Sequence, residues 1–372
     1  MRQLRLNSMR ALFANIMLIQ LCLIATIGFG QSPLVDPHWD LYRDWNFKTM
    51  SWATLNQYWV TDPCIKALDH GGGAVEPQSY QGNNVTISGS GLKLKVKQEQ
   101  LTDKVRCYEP DNVILSDGVT NLRTTYYSSG YIETKDSLKY GFIEARVRVP
   151  FGYDFFPAFW TFKTSNAAAN GAEIDIFEML PAGEYPGTPF VFPNTNVVAK
   201  TNCHLYYGDP LDPYDPPRNL DVALNSSYTN YHKYGVEWSP SKIIWYFDDQ
   251  IVRVLVNPGV HDFNKTILNI AINPWIVLNA SLTPYPSDME IDYVRWYKLN
   301  NSACNTVINN CAFWFGGYQP TVKKSINIGG GCSNTQPVGT NLILRATDFI
   351  QFNGEFTVPY GASLYADVNA CY

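Results

Sequence analysis

Between about residue 80 and residue 298 the chain alternates apolar and polar positions with a period of two. In GLKLKVK, Leu92, Leu94 and Val96 alternate with Lys93, Lys95 and Lys97; in FIEARVRV, Ile143, Ala145, Val147 and Val149 alternate with Glu144, Arg146 and Arg148. That period predicts strands with one buried and one wet face. Similar stretches are YSSGYIETK, FFPAFWTFK, GAEIDIFEML, YHKYGVEWSP, KIIWYFDDQIVRVLV, TILNIAIN and MEIDYVRWYKL, separated by Gly, Pro and Asn turns. No run with the helical period of 3.6 exceeds a turn or two. The expected fold is therefore all-β, a two-sheet antiparallel sandwich of the jelly-roll kind.

Both ends depart from this pattern. Residues 1–30 place Arg2, Arg5 and Arg10 before an apolar run that closes on Gly28 and Gly30, the order of zones in a secretory signal peptide. A membrane anchor is the rival reading, because an apolar run of about 20 residues can span a bilayer. Near residue 300 the segment NNSACNTVINNC turns rich in Asn and Cys. It divides a main domain, 31–299, from a small cysteine-rich β domain, 300–372, whose short strands turn at Asn353-Gly354 and Tyr360-Gly361. Export would put the chain in an oxidising space where Cys64, Cys107, Cys203, Cys304, Cys311, Cys332 and Cys371 can pair. Cys64 is expected to pair with Cys107, the last four to form two bridges that staple a marginal small core, and Cys203 to be left over. The cysteines lack CxxC spacing and the histidines are scattered, so zinc has no support. The charge of −5 argues against nucleic acid and anionic membranes as partners.

The chemistry concentrates at AEIDIFEM. In a regular strand Glu173 and Asp175 share a face and Glu178 points away. A one-residue bulge across Ile176 and Phe177 would send both apolar side chains inward and all three acids to one surface. Glu173 and Glu178 would then be effectively four positions apart, about 13 Å between α-carbons, with side chains able to lean together. Acids so close cannot all ionise freely, so one should stay protonated near neutral pH. The bland alternative is a solvated strand face. Against it stand the cost of three like charges in a row and the aromatic density of FGYDFFPAFWTFK just upstream.

With these residues in place, the sequence resembles glycoside hydrolase family 16, retaining β-glucanases and β-galactanases with a jelly-roll fold. The likeness spans about residues 35–298. It rests on EIDIFE together with EPQSYQGNNVTISGSGLKLKV, YSSGYIETKDSLKYGFIEARVRVPFG, FPAFWTF, YHKYGVEWSPSKIIWYFDD and MEIDYVRWYKL in the family's order. The resemblance implies Glu173 as nucleophile, Glu178 as general acid/base and Asp175 as the helper that tunes the nucleophile. It implies cleft positions for Trp160, His204 and Arg146; the alternatives are a core tryptophan, an uninformative histidine and a solvated ion pair. Asp292 matches a position that binds a structural calcium in some relatives, with a plain strand-end carboxylate as the alternative. No cofactor is needed for the chemistry.

The expected function is a secreted or cell-surface, monomeric, endo-acting retaining hydrolase of internal β-glycosidic bonds, with a polysaccharide as partner and no membrane span in the mature chain. A β-1,3 or mixed-linked glucan such as laminarin or lichenan is the favoured substrate. Departures from laminarinase-type members, with Phe155 and Phe156 before PAFW, SNAAAN before the acids and a long Pro-rich segment after them, keep agar, porphyran and carrageenan open. A transglycosylase and a non-catalytic sugar-binding protein are the competing classes. Three intact acids favour catalysis over the lectin.

Overall fold

A computed structural model describes residues 38–68, 75–115, 118, 120–163, 172–179, 198–205, 220–223, 229–300, 302–318, 320–368 and 371, with backbone alone at 198–205 and 220–223. The proposed leader and most of the Pro-rich segment lie outside the described residues. The chain forms two compact units, one of residues 39–300 and one of residues 301–371 together with His38.

The first unit contains two sheets. The smaller, of seven strands, runs in the order Leu220–Ala223, Val198–Leu205, Ala172–Met179, Phe155–Phe162, Lys265–Ile272, Tyr131–Thr134 and Trp59–Val60. The larger, of ten, is ordered Gln250–Val256, Lys242–Phe247, Tyr231–Trp238, Gly141–Arg148, Ser287–Leu299, Gly91–Lys104, Leu122–Ser129 and Ser79–Tyr80, with Trp39–Asn46 and Val85–Ser88 paired alongside. Pairing is antiparallel throughout this unit except between Ser79–Tyr80 and Leu122–Ser129. Every strand expected from the alternation is present. The described α-helix, Trp52–Tyr58, is short, and Ser51 caps it through Oγ to the Thr54 amide.

Alternation fixes which side chains face inward. Leu92, Leu94 and Val96 from one strand and Ile143, Ala145, Val147 and Val149 from another meet Phe155, Phe159, Ile174, Ile176 and Phe177 from the opposite sheet in one buried core. Burying that many apolar side chains is the main source of stability. Gly141 opens its strand at φ +120°, where a Cβ would run into the Tyr297 carbonyl. The outward lysines are more than a wet surface: Lys95 pairs with Asp288 at 2.7 Å, and Lys93 and Arg148 reach Glu290 at 2.9 and 2.7 Å.

The C-terminal unit is a β structure as expected, but its strands pair in parallel. Val307–Asn310, Lys323–Gly329, Asn341–Asn353 and Ser363–Val368 form one sheet, and two shorter strands a second. Its small core is built on Phe313, Tyr318, Ile326, Ile328, Leu342 and Leu344. Cys304–Cys371 and Cys311–Cys332 staple this unit, and Cys64–Cys107 bridges the larger one. Cys203 lies on a strand whose side chains are not described.

Glu290 supplies a test of the outer ion-pair lattice. Burial would raise its pKa, but hydrogen bonds from Lys93, Arg148 and Tyr231 overcome that and hold it down at about 2. A depressed carboxyl contributes stability above its ordinary value of 4.5 that is lost as pH falls toward 2. Glu290→Gln should therefore lower stability at pH 7 by about 1 kcal/mol, since its partners are partly open to solvent and the pairs are screened. Urea unfolding at pH 7, 5 and 3 should show the gap between variant and wild type closing with acid.

Candidate active site

The strand Ala172–Met179 carries one residue more than either neighbour. Against Phe155–Phe162, Asp175 stands opposite Trp160 and Phe177 opposite Phe159, so Ile176 is the extra residue; against Val198–Leu205, the register jumps between Asp175 and Glu178. Ile176 and Phe177 are both buried in the core, as are Ala172, Ile174 and Met179. The face left to Glu173, Asp175 and Glu178 is the one away from that core. Glu173 and Glu178 stand opposite Phe162 and Ala158, four positions apart on a regular strand. The expected bulge is present, at the expected residues.

Facing positions in adjacent strands share a side of the sheet, so the register maps the surface around the acids. Glu173 is followed across the sheet by Phe162 and Lys265; Asp175 by Trp160, Ile267 and Glu133; Glu178 by Ala158, Asn269 and Tyr131. Trp160 thus stands beside Asp175 on the acid face and not in the central core. It is only 8% exposed, packed among Tyr80, Tyr131, Ala158 and Ile267. Its indole donates to Asn269 Oδ1 at 2.8 Å, and the Asn269 amide donates to the Tyr80 hydroxyl at 2.7 Å. Burial, then the charge of Glu76, pushes the Tyr80 pKa well up, and a hydrogen bond joins the two side chains. This chain of polar groups fixes the plane of the Trp160 ring.

Asp175 is the most deeply buried of the three acids. It is 1% exposed, and burial raises its pKa well above the carboxylate range; the charge of Glu173 and a hydrogen bond to that residue push the same way, with Arg253 pulling weakly back. The backbone is pinned at the same point: Trp245, from the opposite sheet, donates its indole N–H to the Asp175 carbonyl at 2.8 Å. Arg253 lies over the Trp245 ring, 4.6 Å from its centroid.

The other expected residues divide. The backbone of His204 stands directly across from Glu173; its side chain is not described. Arg146 is not in the cleft. Its strand belongs to the larger sheet, where Ala145 and Val147 fill the core and turn Arg146 to the outer face, against Asp292 and the Tyr231 ring. Asp292 does not fit a calcium site. Its Oδ2 is shared by Arg146 and by Lys48 at 2.9 Å, so two cations already occupy the place of the ion, and its carbonyl accepts from the Phe47 amide. Among the described residues no three His, Cys, Asp or Glu side chains come together as a metal set.

Sequence reasoning missed Asn269, Trp245 and Trp275. Asn269 was visible as an amide in the apolar run TILNIAIN, but nothing in the sequence names its partners. Trp245 sits in a continuous apolar run and gives no signal. Trp275, in the NPW turn, packs against Phe156 at 5.5 Å between centroids, beside Ala271.

The sequence matches the family model described as glycosyl hydrolases family 16 over residues 100–295, more than half the chain. The chain belongs to this family. Among curated proteins it is 29% identical over 268 residues to a kappa-carrageenase of Pseudoalteromonas carrageenovora, covering 60% of this chain and 59% of that one. It is 28% identical over 280 residues to glucan endo-1,3-beta-glucosidase A1 of Niallia circulans, covering 68% and 35%. The chain thus spans about a third to three-fifths of the length of the first curated relatives it matches. In fold it is similar to the laminarinase catalytic domain of Thermotoga petrophila, with a TM-score of 0.52, 22% identity and coverage of 71% of this chain and 99% of that one. The kappa-carrageenase of Pseudoalteromonas carrageenovora in complex with an oligotetrasaccharide gives 0.53 at 22% identity, covering 72% and 98%. Family 16 membership and the all-β sandwich agree with the expectations from sequence.

The Trp245 bond separates support of the bulge from general core stability. Trp245→Phe removes the donor to Asp175; Trp238→Phe removes a comparable buried bond, from indole to the Val260 carbonyl at 2.9 Å. Each should cost about 1–3 kcal/mol in chemical unfolding. Only Trp245→Phe should lower kcat.

Proposed function

We propose that the chain is an exported, endo-acting, retaining glycoside hydrolase of family 16 that cleaves a neutral β-glucan. The observation that carries this reading is the bulged strand with three acids on one face, the middle one buried so that its pKa is pushed up by desolvation and by Glu173. In the first step the Glu173 carboxylate attacks the anomeric carbon while Glu178, as the acid, gives its proton to the departing glycosidic oxygen. In the second step Glu178, now a carboxylate, takes a proton from water, which attacks the same carbon and frees Glu173. Two inversions give net retention.

Asp175, protonated, donates a hydrogen bond to Glu173. Such a bond steadies the carboxylate before attack and eases its departure afterwards without adding a second negative charge beside the reacting carbon. Four positions along a strand leave room for the carboxyl groups of Glu173 and Glu178 to approach the roughly 5 Å separation of retaining enzymes. Trp160, held in plane by Asn269, stands next to Asp175 on the acid face.

On this face Lys265 is paired to Glu133 at 2.6 Å, and Lys200 stands opposite Glu178 on the neighbouring strand. The disulfides support an oxidising compartment, as does the leader-like segment; no helix among the described residues is long and apolar enough to cross a membrane.

Two experiments test the reading. Reducing-sugar release should be greater from laminarin or lichenan than from agar, porphyran or carrageenan; release from carrageenan alone would overturn the neutral-glucan assignment. Removing either glutamate should slow hydrolysis of polysaccharide by about 10²–10⁴-fold or more. With an activated aryl glycoside, Glu178→Ala plus azide should give a glycosyl azide of retained configuration, and Glu173→Ala plus azide one of inverted configuration. The same product from both variants would reverse or remove the assigned roles.

A further inference from the structure

We propose that the outer face of the parallel sheet in the C-terminal unit, together with the exposed Trp314 on the turn that leaves its strand ends, is a second binding surface for a neutral polysaccharide chain; this extends the proposed function above. Three strands build it. Their inward residues Ile308, Ile326 and Ile350 line up across the sheet and pack on the unit's core. The positions on either side of these isoleucines form two cross-strand rows, one of Val307, Ser325 and Phe349, in which Ser325 is buried between two exposed apolar side chains, the other the outward Asn309, Asn327 and Gln351. Gly329 and Asn353 pair one step further along.

The second row is a ladder of carboxamides. Asn327 Nδ2 donates to Asn309 Oδ1 at 3.2 Å, Asn353 Nδ2 donates to Asn327 Oδ1, and Gln351 Nε2 donates to Asn353 Oδ1 at 2.7 Å. Neighbouring strands place such amides about 4.8 Å apart, and each presents a donor and an acceptor, the pairing that adjacent sugar hydroxyls complement. None of these positions carries a charge, so the face suits a neutral, hydroxyl-rich chain and not an acidic or basic partner.

The unit also exposes two aromatic rings, Phe349 beside the ladder and Trp314 on the following turn. Phe349 is 46% exposed on the same outer face, two residues from Gln351. Because the strands are parallel, their C-terminal ends lie at one edge, and the turn after Asn310 that carries Trp314 leaves from that edge, tied down by the Cys311–Cys332 bridge. Trp314 is 76% exposed, while its sequence neighbour Phe313 and nearby Tyr318 are buried in the core. One face of the indole lies on Gly317, where any Cβ would collide with the six-membered ring. The ring is thus seated on backbone with its other face to solvent, an arrangement suited to stacking on the apolar face of a pyranose. A second weak contact on the same chain raises the effective concentration of substrate at the hydrolytic unit.

The test uses the full chain carrying Glu178→Gln, which spares the glycan, in affinity electrophoresis through gels containing laminarin, lichenan or agarose, with kappa-carrageenan as the charged control. At least one neutral glycan should retard the protein, and Trp314→Ala and Phe349→Ala should each weaken that affinity roughly tenfold. In the otherwise wild-type chain, both substitutions should leave cleavage of a short soluble oligosaccharide unchanged. Both variants migrating like their parent, or retardation by carrageenan alone, would overturn the proposal. Trp314-dependent retardation in a protein that cuts no glycan would sink the hydrolase reading and leave this one standing.

Discussion

One extra residue in one strand sets the geometry on which the rest depends. Without Ile176 as a bulge, regular alternation would drive both Phe177 and Glu178 onto the wrong face. With it, the core keeps Ile174, Ile176, Phe177 and Met179, and the outer surface keeps all three acids. Bulges leave backbone groups without ladder partners. Here Trp245 reaches across the sandwich from the other sheet to bond the carbonyl of Asp175, the residue just before the insertion. The two sheets are therefore coupled at the site itself, and packing of the sandwich and placement of the carboxyl groups are one problem.

Burial then turns three similar acids into unequal ones. Asp175, almost fully covered between its neighbours, is driven toward its neutral form by desolvation and by Glu173, whereas Glu173 and Glu178 stay partly open to solvent. A buried charge is costly, which is why the Asp175 pKa is pushed up. The outer face of the other sheet shows the reverse outcome for the same chemistry. There Glu290 is surrounded by Lys93, Arg148 and Tyr231 and remains ionised far into acid. Neighbouring groups, not residue type, decide the charge.

Much of this was legible in the sequence because it is periodic. Alternation located the strands, and the mismatch of spacing in EIDIFE required a bulge. Local pattern failed where the decisive contact is remote. The strand Trp39–Asn46 was not expected because it buries only its two tryptophans and leaves Leu41 and Tyr42 exposed, which erases the period. Arg146 was misplaced because alternation tells which residues share a face but not which sheet they belong to; the outer position follows only once its strand is seen between Tyr231–Trp238 and Ser287–Leu299. Asp292 looked like a metal ligand until Lys48 and Arg146, distant in sequence, were found on its carboxylate. The parallel pairing of the C-terminal unit was equally hidden, since short strands and turns read alike in either sense.

In the proposed mechanism the bulged strand presents Glu173, beside the buried Asp175, as the group that takes the sugar. The most direct measurement is covalent trapping with a 2-deoxy-2-fluoro-glycosyl fluoride of the cleaved glycan, followed by peptide mass spectrometry. A single adduct on Glu173, lost in Glu173→Gln and still formed in Glu178→Gln, is the predicted result. An adduct on Glu178 or on a residue outside the strand Ala172–Met179 would contradict the account.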